Sequence, residues 1–266
     1  MLVQLTYALF VQKVKQPIGG SMNMNDENNK INEEEKLNKV TILNHDKDSN
    51  SETGSTFLKD VFNFRNLFID FNNMKLYFFI STMLFVIGVV IGFNANALEQ
   101  LLQPSLQKIG EIGEKIERSD NSQLTGFIYI FKNNVQASLV MVYSGAFFSL
   151  LPIASLLMNG MLIGYVFKLV PQSGSDFSMM ELFLRGILPH GIFEIPAILI
   201  ASAYGIKLGV LIMKWLVQSG EKDLRSKNKS ALISFMKLSV TLVIFTVATL
   251  MLAAIIESTI TPILLG

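Results

Sequence analysis

The sequence predicts an all-α integral membrane protein, a polytopic bundle of about five transmembrane helices behind a disordered, water-soluble N-terminal tail. Three observations predict it. Of the 266 residues, 50% are hydrophobic and only 16% charged, where a soluble domain carries about 25%, so lipid is the solvent that suits this composition. The charges crowd into residues 25–60, 99–120 and 214–229. Between them lie apolar runs long enough to cross a hydrocarbon core of about 30 Å. The chain has no cysteine, which excludes disulfides, thiolate metal sites and cysteine nucleophiles. A net charge of +1 argues against nucleic acid as a partner.

Residues 1–56 are expected to form a disordered cytoplasmic tail. Residues 22–56 are rich in Asn, Glu, Lys and Ser and cannot bury enough surface to offset their ordering entropy; His45 is read there as a solvated side chain. The apolar start, Met1 to Gln12, lacks a basic leader and a small-residue cleavage site, so it is not read as a signal peptide. Gly19-Gly20 are encoded by GGN codons that can form a purine-rich ribosome-binding site, so a start at Met22 or Met24 stands as the alternative to a start at Met1. Over 57–75, Phe57, Val61, Phe64, Phe68 and Phe71 follow helical spacing between charged residues, as in an amphipathic helix on a membrane surface.

Residues 76–257 form the membrane domain. The first span is placed at 76–93, with Gly88 and Gly92 at the spacing that lets helix backbones approach closely in lipid. The hydrophilic stretch 94–123 contains an amphipathic helix from Leu98 to Ile116, interrupted near Pro104, suited to covering the bundle end or holding a partner. Residues 135–170 as one helix would be about 54 Å long, so the run must fold back, and Pro152 is the natural break between spans at 134–151 and 153–170. The same arithmetic breaks 179–216 at Pro189-His190-Gly191, leaving a short interfacial or re-entrant helix at 181–188 and a fourth span at 192–216. A basic loop at 221–230 precedes the fifth span, 235–256. Lys222, Arg225, Lys227 and Lys229, with Lys59, Arg65 and Lys75, place the N-terminus in the cytoplasm and the C-terminus outside.

Polar residues inside these spans are costly and therefore informative. They are Asn133-Asn134 at the mouth of the second span, Asn159 in the third, His190 and Glu194 opening the fourth, and Lys207 within it. His190 and Glu194 are four apart and share a helix face. As metal ligands they are two where zinc wants three or four, so no metal or cofactor site is assigned. As an ion or proton relay they would need a polar path, which Asn133, Asn134, Asn159 and Tyr143 can line. As structural groups they satisfy backbone freed by Pro189 and Gly191. Lys207 can snorkel to the cytoplasmic interface. Gly160/Gly164 and Gly205/Gly209 repeat the close-packing spacing of Gly88/Gly92. No nucleophile–base pair is evident, so the chain is read as a non-enzyme with no catalytic residue.

At these residues the chain resembles the stage II sporulation protein M family. The resemblance covers roughly residues 76–257 and rests on Asn133-Asn134, on Asn159-Gly160 followed by Gly164, and above all on LPHGIFEIPAILIASAYGIKLG at 188–209. It implies a multi-pass protein of the bacterial cytoplasmic membrane. The sporulation member is a membrane anchor for cell-wall hydrolases during engulfment and has no known catalytic activity of its own. Relatives accompany circular bacteriocins, where export or self-protection is the role implied. The expectation is therefore a non-enzymatic scaffold for septal membrane and wall remodelling, with the lipid bilayer and wall hydrolases or other membrane proteins as partners. The alternative is a membrane component of peptide export, immunity or small-solute transport. The long tail departs from the sporulation protein and favours a family relative.

The chain is expected to sediment with membranes and to become monodisperse only in detergent. A monodisperse polypeptide in plain buffer, seen by size-exclusion chromatography, would contradict the bilayer reading.

Overall fold

The computed structural model describes residues 64–94, 99–169 and 178–265. The expectations for the tail, its first residues and His45 lie outside them. All regular structure among the described residues is helical. In chain order the helices are α1 (Phe64–Asn73), α2 (Lys75–Asn94), α3 (Glu99–Glu117), α4 (Ser122–Tyr143), α5 (Leu150–Leu169), α6 (Leu188–Val217) and α7 (Lys222–Leu265). Four helical stretches are long and apolar enough to cross a membrane: α2, α5, the run Met179–Val217 that contains α6, and most of α7. The fifth, α4, carries Lys132, Asn133, Asn134 and Gln136 and is less apolar, but it packs inside the same bundle. Large apolar side chains such as Leu76, Phe79, Val90 and Ile192 stay exposed on the bundle's outside, the surface that lipid covers in a multi-pass membrane protein.

Helix α6 is central and packs against α2, α4, α5 and α7. The residue pairs in contact fix the helix directions. Gly88 abuts Gly160, and Val89 and Phe93 abut Gly164, so α2 and α5 run parallel. Gly126 lies against Ser258 and Tyr143 against Ser239, so α7 runs antiparallel to α4. Pro152 lies against Gly205, and Phe167 against Phe183 ahead of α6, which sets α5 antiparallel to α6.

Four details differ from the sequence expectation. The fold-back between α4 and α5 lies at residues 144–149, before Pro152, which sits in the first turn of α5. Proline fits a helix's first turn without losing a bond, so it follows the break instead of making it. The turn puts Phe148 (φ 53°) and Ser149 (φ 66°) in the left-handed region. It is held by the Ser149 hydroxyl donating to the Ile206 carbonyl (3.0 Å) and by close approach of Gly145 to Gly205. Second, the chain does not break at Pro189. A turn capped by Ser178 and Glu181 leads into a π-helix, Leu182–Ile187, that runs straight into α6. There the Leu188 N–H reaches back to the Phe183 carbonyl, five residues earlier, and the widened turn absorbs proline's missing donor. Third, the basic segment after 221 is the start of α7, not a loop. Fourth, α3 continues through Pro104 without interruption.

The apolar stripe of α3, from Leu102 through Ile116, is buried on the bundle itself, against Leu162 and Tyr165 at one end and Ile130 and Ala254 at the other. Helix α1 also packs inward. Leu67 is buried, and the Phe71 ring meets Phe78, Tyr204 and Phe245 edge-on at 5.5, 6.2 and 6.3 Å.

The glycine seam between α2 and α5 yields a test. A Cβ on Gly92 would strike the Met161 backbone, whereas one on Gly110 meets nothing within 4 Å. Gly92→Val is expected to cost about 1–3 kcal/mol by forcing the helices apart. Gly110→Ala is expected to gain about 0.5–1 kcal/mol from helix propensity. Thermal unfolding in micelles reads both; an unchanged midpoint for Gly92→Val would contradict the seam.

Candidate functional site

The polar residues singled out in the sequence divide into three places. The first is a cluster between α4, α6 and α7. His190 and Glu194 lie one turn apart on α6, and Glu257 joins them from α7. One ligating atom from each of the three lies within 4.8 Å of the others. All three side chains are 0% exposed, as is Asn134 of α4. The Asn134 carboxamide lies beside the Glu194 carboxylate, and no hydrogen bond of good geometry reaches either oxygen of Glu194. Burying an ionised carboxylate costs several kcal/mol unless it is paired. A site holding two carboxylates and an imidazole at full burial is therefore one that can take up positive charge.

The second place is a groove of 520 Å³ between α3, α4 and α5, lined among others by Ser105, Lys108, Asn133, Gln136, Ser155 and Asn159. Adjacent residues on a helix point about 100° apart, so Asn133 faces this groove while Asn134 faces the cluster. Asn159 spends its amide on the Ser155 carbonyl at 2.8 Å, and Tyr143 is elsewhere, its hydroxyl 3.4 Å from Ser239. The four residues do not line one path.

The third is an ion pair. Lys207 does not snorkel; its Nζ donates to Asp70 of α1 at 2.7 and 2.9 Å, and the Tyr204 hydroxyl donates to the same carboxylate at 2.7 Å. The ammonium also lies 5.7 Å from the Tyr204 ring centre and 5.8 Å from that of Phe235, within cation–π range. This contact ties α1 to the centre of the bundle.

The glycines serve backbone approach. Gly88, Gly92, Gly160 and Gly164 form the α2–α5 seam, and Gly205 and Gly209 seat the turn at 145–152 on α6. Gly191 makes only ordinary contacts with Ile187 and Ile195, and Pro189 occupies the first turn of α6.

Sequence reasoning missed Glu257 and Asp70. Glu257 is the single charged residue between Leu238 and Gly266, a signal legible in the sequence, but it fell one residue past the fifth span as drawn. Asp70 stands on a helix with other charges, and nothing local marks it as the partner of a lysine 137 residues away.

Fold and site together define a multi-pass α-helical membrane protein with ionisable groups at its centre. The Stage II sporulation protein M family profile matches residues 81–262, and the chain belongs to that family. It is 29% identical over 191 residues to the uncharacterized protein MJ0793 of Methanocaldococcus jannaschii, covering 71% of this chain and 96% of that one. A second protein of that organism, the uncharacterized protein MJ0706, is 25% identical over 213 residues, 77% of this chain and 90% of its own. No solved structure matches.

The ion pair yields a prediction. Lys207→Met leaves the Asp70 carboxylate short of its cation and is expected to cost about 1–3 kcal/mol. Combined with Asp70→Asn, the loss should fall short of the sum of the singles by about 0.5–3 kcal/mol. Strict additivity in micellar unfolding would contradict the pairing.

Proposed function

We propose that the chain is a non-enzymatic membrane component of small-solute or peptide transport, in which the His190–Glu194–Glu257 cluster takes up and releases a cation. The observation that carries this reading is the full burial of two carboxylates and an imidazole with the Glu194 oxygens unpartnered. A purely structural polar contact in lipid would pair its donors and acceptors. Ionisable groups inside a bundle are characteristic of ion and substrate pathways. The Lys and Arg residues at the start of α7 support a cytoplasmic placement of that end, which would put the cluster toward the outer half of the bilayer.

The competing reading, a scaffold holding wall hydrolases during septal remodelling, rests on family membership. Its proposed docking element was the apolar stripe of α3, and that stripe is spent on the chain's own bundle.

Proteoliposomes with an entrapped pH dye, a membrane potential and an imposed proton gradient test the transport reading. Wild-type protein should dissipate the gradient faster than empty vesicles. Glu194→Gln, inserted to the same level, should bring the rate back to theirs. Equal rates for wild type and Glu194→Gln would remove the reading's support, and recovery of wall hydrolases in pull-downs would favour the scaffold.

A further inference from the structure

We infer that His190, Glu194 and Glu257 form a binding site for one divalent transition-metal ion within the membrane domain, with the Asn134 carbonyl oxygen as a fourth donor. Four observations lead there. The first is the donor set: an imidazole nitrogen and two carboxylate oxygens suit a borderline ion of the zinc, iron(II) or manganese type, and a carboxamide oxygen adds to it without charge.

The second is geometry. The ligating atoms lie within 4.8 Å of one another. Bonds of about 2.0–2.1 Å in a tetrahedron set ligand–ligand edges of about 3.4 Å. Side-chain rotation of about an ångström closes that gap, since His190 and Glu194 already share one face of α6.

The third is charge. Two carboxylates bring −2 into a site of 0% exposure, and a divalent ion cancels it while leaving the imidazole neutral, the form that ligates. Two protons would cancel it as well. Protons, unlike a divalent ion, would not need an imidazole nitrogen and two carboxylates converging on one centre. The fourth is the Asn134 side chain, itself 0% exposed, with neither polar atom hydrogen-bonded, set beside Glu194. Polar groups without hydrogen bonds at full burial gain most from a cation shared between them.

This inference goes beyond the transport reading and does not depend on it. An ion held from α4, α6 and α7 would clamp three helices whether or not it moves.

The test uses purified full-length chain in detergent, stripped with EDTA and titrated with Co²⁺ and then Zn²⁺. The wild type should bind one Co²⁺ per chain with visible d–d bands of a four- or five-coordinate ion. Zn²⁺ should displace it and raise the unfolding midpoint. Glu194→Gln and Glu257→Gln should lose the bands, and Asn134→Ala should weaken binding by about 10–100-fold. A parallel His45→Ala protein should keep the bands, since the tail imidazole is no part of the site. Absence of a stoichiometric spectrum in the wild type would overturn the inference without reference to any variant's folding. Binding that survives both glutamate substitutions, or vanishes with His45→Ala, would also overturn it. Gradient dissipation without bound metal would leave the transport reading standing and this one refuted; bound metal without dissipation would do the reverse.

Discussion

Hydrocarbon supplies no hydrogen bonds, and the architecture follows from that shortage. Every backbone N–H and C=O in the core must find its partner inside the chain, so the spans are helical and α6 stays helical across Pro189 and Pro196. The same shortage sorts the side chains. Leu, Ile, Val and Phe face outward at no cost, while Asn134, Asn159, His190, Glu194 and Glu257 turn inward. Without water to drive apolar groups together, close approach of helices supplies the cohesion, and glycines at four-residue spacing permit it along the α2–α5 seam and under the turn at 145–152.

Helix α6 concentrates the consequences. It carries the His190–Glu194 pair near its start and Tyr204 and Lys207 further on, about 20 Å apart along the axis from Glu194 to Lys207. At the second place the charges are met in full, by Asp70 from α1. At the first, like charges converge and polar atoms are left over. There the Glu194 oxygens and the Asn134 carboxamide make no hydrogen bond, in contrast to the fully bonded Asp70 carboxylate.

Much of this was legible in the sequence because hydropathy, helix rise and bilayer thickness are quantities a sequence can be measured against. They place the apolar helices and demand a fold-back in 135–170. Break positions were less legible. Proline at 152 and 189 suits a helix's first turn as well as its interruption, and a π-turn can absorb it, so the residue type alone does not choose. His190, Glu194 and Asn134 stood out by their cost in lipid. Their third companion, Glu257, was written as plainly, as one charge in a long apolar run, and was lost to a span boundary. The pairing of Asp70 with Lys207 was not legible, because adjacency between residues 137 apart is a property of packing.

The central claim is that α4 and α6 run side by side in the same direction with their polar residues facing each other. Asn134 lies beside Glu194, and about two turns further along both helices the Ser202 hydroxyl lies 3.4 Å from the Met141 sulfur. The chain has no native cysteine, so a Met141→Cys, Ser202→Cys protein carries one pair only. Mild oxidation in native membranes should form an intramolecular disulfide in that protein. A pair with Cys at Met141 and at the half-buried Ile200, at nearly the same height as Ser202 but about 200° round α6, should stay reduced. Failure of the first pair to cross-link while the second does would mean that α6 turns its other face inward, and the buried centre would not exist.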